Sequence, residues 1–326
     1  MLAQKSQIFV LDNIIWFINL LLMIGFIAIE PGLLTPKNLM SMIYSVSMLG
    51  FLVLAQAIIL ISGNFDLSVG AIAGFAMTVA AMTYEFWIPG LSWPILVVLI
   101  LAIGVAIGLY NGFFIGVLKI NPFLQTLGTY TLFYGLMLIL GGRTLFKLPP
   151  ELIALGGGRV GGTILPWAVV ILVLAGFLVH LLLADTPLGR KIYAVGSNQA
   201  AARACGISVE KTIIWAFALS GLLSAVGGIM YAGYMNCVTQ DLARADLFLT
   251  FAGAIIGGVA LTGGRGRISG VMGGIVLLGI VEIGLTIMKT PASWREAMNG
   301  VVLIGAILLN TYQARLKGYV LAKSSA

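Results

Sequence analysis

The sequence predicts an all-α polytopic membrane protein of about ten transmembrane helices, organised as one domain over residues 1–326. Three observations carry this. The chain is 60% hydrophobic and only 9% charged. Its mean hydropathy is +1.09. Its apolar runs reach the roughly 20 residues that cross a bilayer as helix. No soluble domain could cover that much apolar surface with 18 basic and 11 acidic side chains.

The first span is expected from about Ile8 to Ile29. Only Lys5 precedes the run and no small-residue cleavage site follows, so it reads as a retained helix. The next four are expected at about Met40 to Ser62, Ser68 to Trp87, Trp93 to Val117 and Asn121 to Gly141. Thr163 to Ala184 and Thr212 to Asn236 follow, then Leu247 to Thr262, Ile268 to Met288 and Ala297 to Gln313. The eighth and tenth are short and the eighth is rich in glycine, so either reads as a tilted, broken or partly re-entrant segment.

Glycine spacing adds packing information. Gly104, Gly108, Gly112 and Gly116 recur every fourth residue in the fourth span, and Gly266, Gly270 and Gly274 do so around the start of the ninth. Such ridges let helix backbones approach closely, and Gly257 and Gly258 in the eighth span read the same way. A weaker signal is internal duplication. AIILISGNFDLSVGAIAG from Ala57 and AIIGGVALTGGRGRISGVMGG from Ala254 each set a glycine-rich break between apolar runs.

The net charge of +7 would suggest nucleic acid in a soluble protein. Here the basic residues sit in short loops between spans, where they set topology, and no nucleic-acid partner is expected. With both termini inside, eleven basic residues fall on the inner side and seven on the outer. This bias places the segment from Asp185 to Lys211 in the cytoplasm. Cys205 and Cys237 then lie on opposite faces, and no disulfide is expected between them.

That segment, DTPLGRKIYAVGSNQAAARACGISVEK, is the one long polar island in the chain. Pro187 and Gly189 are expected to end the sixth span. Asn198 is placed to cap a short helix, Gln199 to Cys205, that Gly206 terminates. Ala201 and its neighbouring alanines would let this helix seat closely in a groove, with Arg190, Lys191 and Arg203 free to meet acidic groups on a partner. The island reads as a docking surface, the alternative being a basic loop resting on anionic lipid headgroups.

Within the bilayer, polar residues are few. Asp66, between Asn64 and Ser68, reads as a cap, shared with Ser68, for the third span in preference to a direct transport role. Glu282, with Thr286 one turn on, reads equally as lining a passage or as structural. Gln56, Asn111, Gln125, Thr126, Ser220, Ser224, Tyr231 and Asn299 are the other candidates for hydrogen-bonding a polyhydroxylated solute or a neighbouring helix. His180 lacks companions at metal-ligand spacing, and no metal site is expected. The run Gly263 to Arg267 lacks the Gly-Lys-Ser/Thr ending of a phosphate loop.

Four motifs taken in order, SGNFDLSVG at Ser62 to Gly70, NPFLQTLGTYTLFYG at Asn121 to Gly135, TPLGRKIYAVGSNQAAARACGISV at Thr186 to Val209 and IIGGVALTGGRGRISG at Ile255 to Gly270, resemble the permease subunits of bacterial ribose-type ABC sugar importers. The resemblance, to the branched-chain amino acid/ribose permease superfamily, covers nearly the whole chain. It implies a type II-importer-like permease in the bacterial inner membrane. Such a permease dimerises with itself or a related paralogue, binds cytoplasmic ATP-binding subunits that hold the ATP and Mg, and receives solute from a periplasmic binding protein.

The resemblance also implies that the island carries the coupling helix, drawing on Gly189, Arg190, Lys191, Gly196, Asn198, Ala201, Arg203 and Gly206, and that the chain itself is not an enzyme. The outer loop Gly142 to Gly162, with charges of both signs, then reads as a binding-protein contact or as a solvated loop. Departures from the family pattern fall at Asn64, which follows a single glycine, at Asp246 and Leu247, and at His180 and Glu282. They bear on the solute more than on the fold. The expected function is import of a monosaccharide or related small polar solute. Permeases for autoinducer, nucleoside or branched-chain amino acid would share the architecture. An ion-coupled secondary transporter would need clustered intramembrane carboxylates, and an intramembrane enzyme would need convergent catalytic groups.

Overall fold

The computed structural model describes residues 13–242 and 247–291, with 294, 297, 298, 300–305, 307, 308 and 312 beyond them. Among these the regular structure is helical, apart from two isolated bridges, Leu145 to Val238 and Arg159 to Pro166. In chain order the helices are α1 Ile14–Ile29, α2 Pro36–Ile61, α3 Val69–Met82, α4 Trp93–Gly116, α5 Pro122–Gly141 and α6 Pro150–Gly157. The second half holds α7 Trp167–Asp185, α8 Pro187–Ser197, α9 Gln199–Ala204, α10 Val209–Met235, α11 Leu247–Ile256 and α12 Ile268–Ile287.

Seven of these are long and apolar enough to cross a membrane: α2, α3 with its π-helical extension Thr83–Trp87, α4, α5, α7, α10 and α12. Their positions follow the hydropathy runs, and local chemistry sets the ends. α2 starts four residues earlier than the apolar run, because Pro36 at the first helical position lacks only a donor that has no helical partner. Asn121 opens α5, its Oδ1 accepting from the Phe123 amide at 2.9 Å.

α11 has ten residues, a rise of about 15 Å or half a hydrocarbon core. It stops where Gly258 turns left-handed at φ +86, with the Val259 amide returning to the Ala254 carbonyl and the Gly258 amide to that of Ile255. Gly258, expected to pack helices, therefore serves as a turn, and a Cβ there would meet open space. α2 stops in the same way at Gly63, φ +75. The two breaks matched in sequence thus share one helix-ending geometry. The N-terminal part of the first span and several residues of the tenth, Asn299 among them, lie outside the described residues.

α2 runs through the middle of the bundle, with every side chain from Phe51 to Ile61 fully buried. α10, α11 and α12 pack around it, while α4, α5 and α7 leave broad apolar faces outward, as helices against lipid do. The fourth-span glycines face α10. A Cβ on Gly104 or Gly108 would strike the Gly221 or Phe217 carbonyl, and on Gly112 it would fall 2.6 Å from Ile214 Cα. Gly257, Gly270 and Gly274 join α11 to α12 by the same backbone approach.

The outer loop 142–162, read from the sequence as a binding-protein contact or a solvated loop, contains α6, which packs on α10 with Leu152 buried. A Cβ on Gly156 would meet Gly233 Cα at 2.9 Å, and Tyr44 donates to the Gly157 carbonyl at 3.0 Å. Glycine lets an eight-residue helix sit directly on a long one. Arg143, Lys147 and Glu151 stay exposed on this end.

Candidate functional site

Two constructions stand out, a buried polar hub and the island at the same end of the bundle. The hub centres on Asp66, in the break between α2 and α3. Its Oδ1 accepts from the Ser68 amide at 2.8 Å and the Ser68 hydroxyl at 2.5 Å, and its Oδ2 from Ser220 of α10 at 3.2 Å. Asn111 of α4 donates to Ser68 Oγ at 2.9 Å and accepts from Thr129 of α5 at 2.6 Å. Gln125 reaches Thr129 at 3.4 Å, and Thr126 accepts from the Leu67 amide at 3.1 Å.

The expected cap on the third span is not formed. Ser68 precedes α3 but makes no side-chain bond to its first turn. Ser68 gives its proton to the Asp66 carboxylate, and its oxygen accepts from Asn111 and not from the first-turn amides. Asp66 instead ties the loop to α10 directly and to α4 through Ser68, with α5 joined through Asn111 and Thr126. A buried carboxylate is tolerable only with such donors around it.

The island is built differently. Pro187 and Gly189 were expected to end the sixth span, yet Thr186 makes the break and Pro187 begins a new helix. Thr186 Oγ1 accepts from the Gly189 amide at 3.1 Å, and Pro187 takes the first helical position. α8 buries Gly189, Ile192, Val195 and Gly196 on one face and leaves Arg190 and Lys191 exposed. Asn198 then caps α9 by accepting from the Ala201 amide at 3.0 Å, and Gly206 ends it at φ +77. Ala202 packs inward, while Ala200, Ala201 and Ala204 face outward.

Arg203 has an ion partner within the chain. It meets Glu210 at 2.6 Å, and Lys119 reaches the same carboxylate at 3.1 Å. Its own backbone amide first, and Lys119 and Arg203 with it, hold the Glu210 carboxyl below the usual carboxylate range. This clamp fixes α9 to the start of α10 and the α4–α5 turn.

A backbone junction joins the island to the bundle. The Gly264 amide donates to the Ile61 carbonyl at 2.8 Å. A Cβ on Gly196 would land on that same carbonyl oxygen, and one on Gly263 would fall 2.6 Å from Gly63 Cα. Tyr193 donates to the Gly266 carbonyl at 2.8 Å. Burial pushes its hydroxyl above the usual range, partly offset by Arg267, so it remains a donor. The end of α2, the α8–α9 corner and the α11–α12 loop thus meet with almost no side chain between them.

The structure therefore gathers Asp66, Ser68, Asn111, Gln125, Thr126 and Ser220 into one network. It leaves others apart. The Asn64 side chain bonds only Ser62, at 3.0 and 3.1 Å, among the bonds described. Glu282 lies on an exposed face of α12, away from the hub, and Thr286 donates to its carbonyl at 2.8 Å. Gln56 is buried elsewhere on α2. Sequence reasoning missed Thr129, Lys119, Tyr193 and Glu210. Thr129 stands one helical turn after Gln125, and Glu210 seven residues after Arg203, spacings that mean little until the helices are placed.

Comparison with known proteins agrees with this architecture. The family model described as Branched-chain amino acid transport system / permease component matches residues 38–307. The Autoinducer 2 import system permease protein LsrC of Enterobacter sp. (strain 638) is 32% identical over 297 residues, 90% of this chain and 85% of that protein. Proteins of the same name from Photorhabdus laumondii subsp. laumondii and Escherichia coli (strain K12 / DH10B) are each 31% identical. The first covers 82% of this chain and 79% of its own length, the second 90% and 86%. No solved structure matches the chain.

Proposed function

This chain belongs to the branched-chain amino acid transport system permease family, within the branched-chain/ribose-type ABC permease superfamily, and from that premise we propose that it is the inner-membrane subunit of an ATP-driven importer. The island end faces the cytoplasm, where α8 and α9 dock on a separate ATP-binding subunit. That subunit holds ATP and Mg. A second permease, identical or paralogous, completes the membrane unit, and a periplasmic binding protein delivers the solute at the end carrying α6.

The observation that carries this reading is the island itself. Its inner face is locked to the breaks after α2 and α11 by backbone contact, while its outer face presents a small-residue helix beside Arg190 and Lys191. A short side-chain-poor helix seats closely in a groove, and the junction behind it has little slack to absorb a push. Movement imposed at α9 would therefore reach α2 and α11, and through them the passage.

The solute is a small polar molecule. Autoinducer 2, which the relatives' names give as theirs, is the first to test, and a monosaccharide the second. The test is co-purification with the ATP-binding subunit followed by uptake into proteoliposomes. Arg190→Glu or Ala201→Trp is expected to abolish complex formation and uptake with membrane insertion intact. Normal uptake by either variant, or uptake without ATP, would count against docking.

A further inference from the structure

Most buried polar side chains in the described bundle have a partner. Ser47, Thr78, Thr83, Thr212, Ser224 and Thr250 each bond a carbonyl one turn back or nearer. The hub satisfies the rest of its own region, and Asn19, though its carbonyl oxygen is unpartnered, donates to the Gly273 carbonyl at 2.9 Å. Gln56 differs. It is fully buried, and neither its amide nitrogen nor its oxygen has a partner among the described residues.

An amide carries two donors and two acceptor lone pairs, and leaving all of them unmade away from water destabilises the fold. Leucine would fill nearly the same volume without that penalty, and leucine or isoleucine occupies much of the rest of the Phe51–Ile61 stretch. The glutamine is thus a poor choice for this conformation.

Its position gives the reason. On α2, Phe51 and Leu52 pack on Gly227 of α10, and Val53 packs on Gly253 of α11. One helical turn further, at about 100° per residue, Gln56 points between the Leu52 and Val53 directions, into the seam that α10 and α11 share along α2. Near the island end of α2, Phe65 meets Phe251 of α11 with ring centroids 6.1 Å apart. α11 is the half-length helix, and its end is tied through the α11–α12 loop to the island junction.

We propose that Gln56 is a polar contact of the solute passage, occluded here between α10 and α11 and presented to solute and water when α11 moves off α2. This rests on the importer reading and names one residue of its path. A planar amide that both donates and accepts suits a neutral solute bearing hydroxyl or carbonyl groups, and does not select an ion.

The experiment uses the reconstituted importer complex, wild type and Gln56→Leu, with Gln56→Cys in a background of Cys205→Ser and Cys237→Ser. Gln56→Leu is expected to keep or raise thermal stability while lowering uptake about tenfold or more, as loss of a contact to the moving solute does. Gln56→Cys is expected to react with a small aqueous thiol reagent in one nucleotide state, with or without ATP and vanadate, and to be inert in the other. Wild-type uptake by Gln56→Leu, loss of stability together with uptake, or a cysteine inert in both states would overturn the proposal. A wild-type complex that takes up no solute would instead fail the importer reading, and the labelling, made on the same preparation, separates the two results.

Discussion

Asp66 survives in a bundle this apolar because each carboxylate oxygen meets a donor, from Ser68 in its own loop and from Ser220 of α10, while Asn111 of α4 holds Ser68 in turn. Removing the carboxylate leaves Ser68 and Ser220 with their protons unplaced. Asp66→Ala should therefore lower the thermal midpoint of the purified protein, with about 1–3 kcal/mol for each orphaned group setting the scale. Thr129→Val, which keeps the shape and deletes the donor to Asn111 and the long contact with Gln125, should cost about 1 kcal/mol. Equal effects of the two would show that the hub is not centred on Asp66.

Glu210 is the other residue whose setting makes a prediction. Its carboxyl is held below the ordinary range in the folded protein, so the clamp contributes at pH above that range and is lost as pH falls through the lowered value. Hydrogen exchange across α9 should quicken on acidification, and Glu210→Gln should remove most of that dependence. The pair with Arg203 is partly exposed, so the effect is modest and weakens with salt.

At the scale of elements, the α4–α10 pair depends on glycine. Backbones this close gain dispersion contacts along their whole length, and one branched side chain forces them apart. Gly108→Val should destabilise by about 1–3 kcal/mol or more, read as a fall in monodisperse protein on heating in detergent. Gly258→Ala meets no neighbour, and its penalty comes only from the left-handed backbone, about 1 kcal/mol. The contrast separates packing glycines from turn glycines.

For the molecule as a whole, the junction of Gly63, Gly196 and Gly263 is where the island meets the bundle. Gly196→Ala would drive a methyl into the Ile61 carbonyl and lift the α8–α9 corner. Tyr193→Phe is the milder version, removing one bond to the α11–α12 loop. Both are expected to retain the ATP-binding subunit and its hydrolysis while transport falls, measured as solute moved per ATP consumed. An unchanged ratio for both would mean that the push travels by another route.

Much of this was readable in the chain. Span positions, the Asn198 cap, the Gly206 stop and the glycine ridge of the fourth span all depend on neighbours within a turn or two, and short-range sequence encodes them. Thr186, and not Gly189, breaks the sixth span because Pro187 is favourable at a helix start, a local fact that reads either way until the next helix is seen.

What the sequence could not decide were partners distant along the chain: Asp66 with Ser220, Arg203 and Lys119 on one Glu210, α6 on α10, and Gln56 with no side-chain partner among the described residues. Hydropathy and capping act along a helix, whereas polar satisfaction is settled by which helices end up side by side. The chain alone therefore determined a helical membrane protein with one long polar island. Only the packed structure decided which of its few polar groups meet one another.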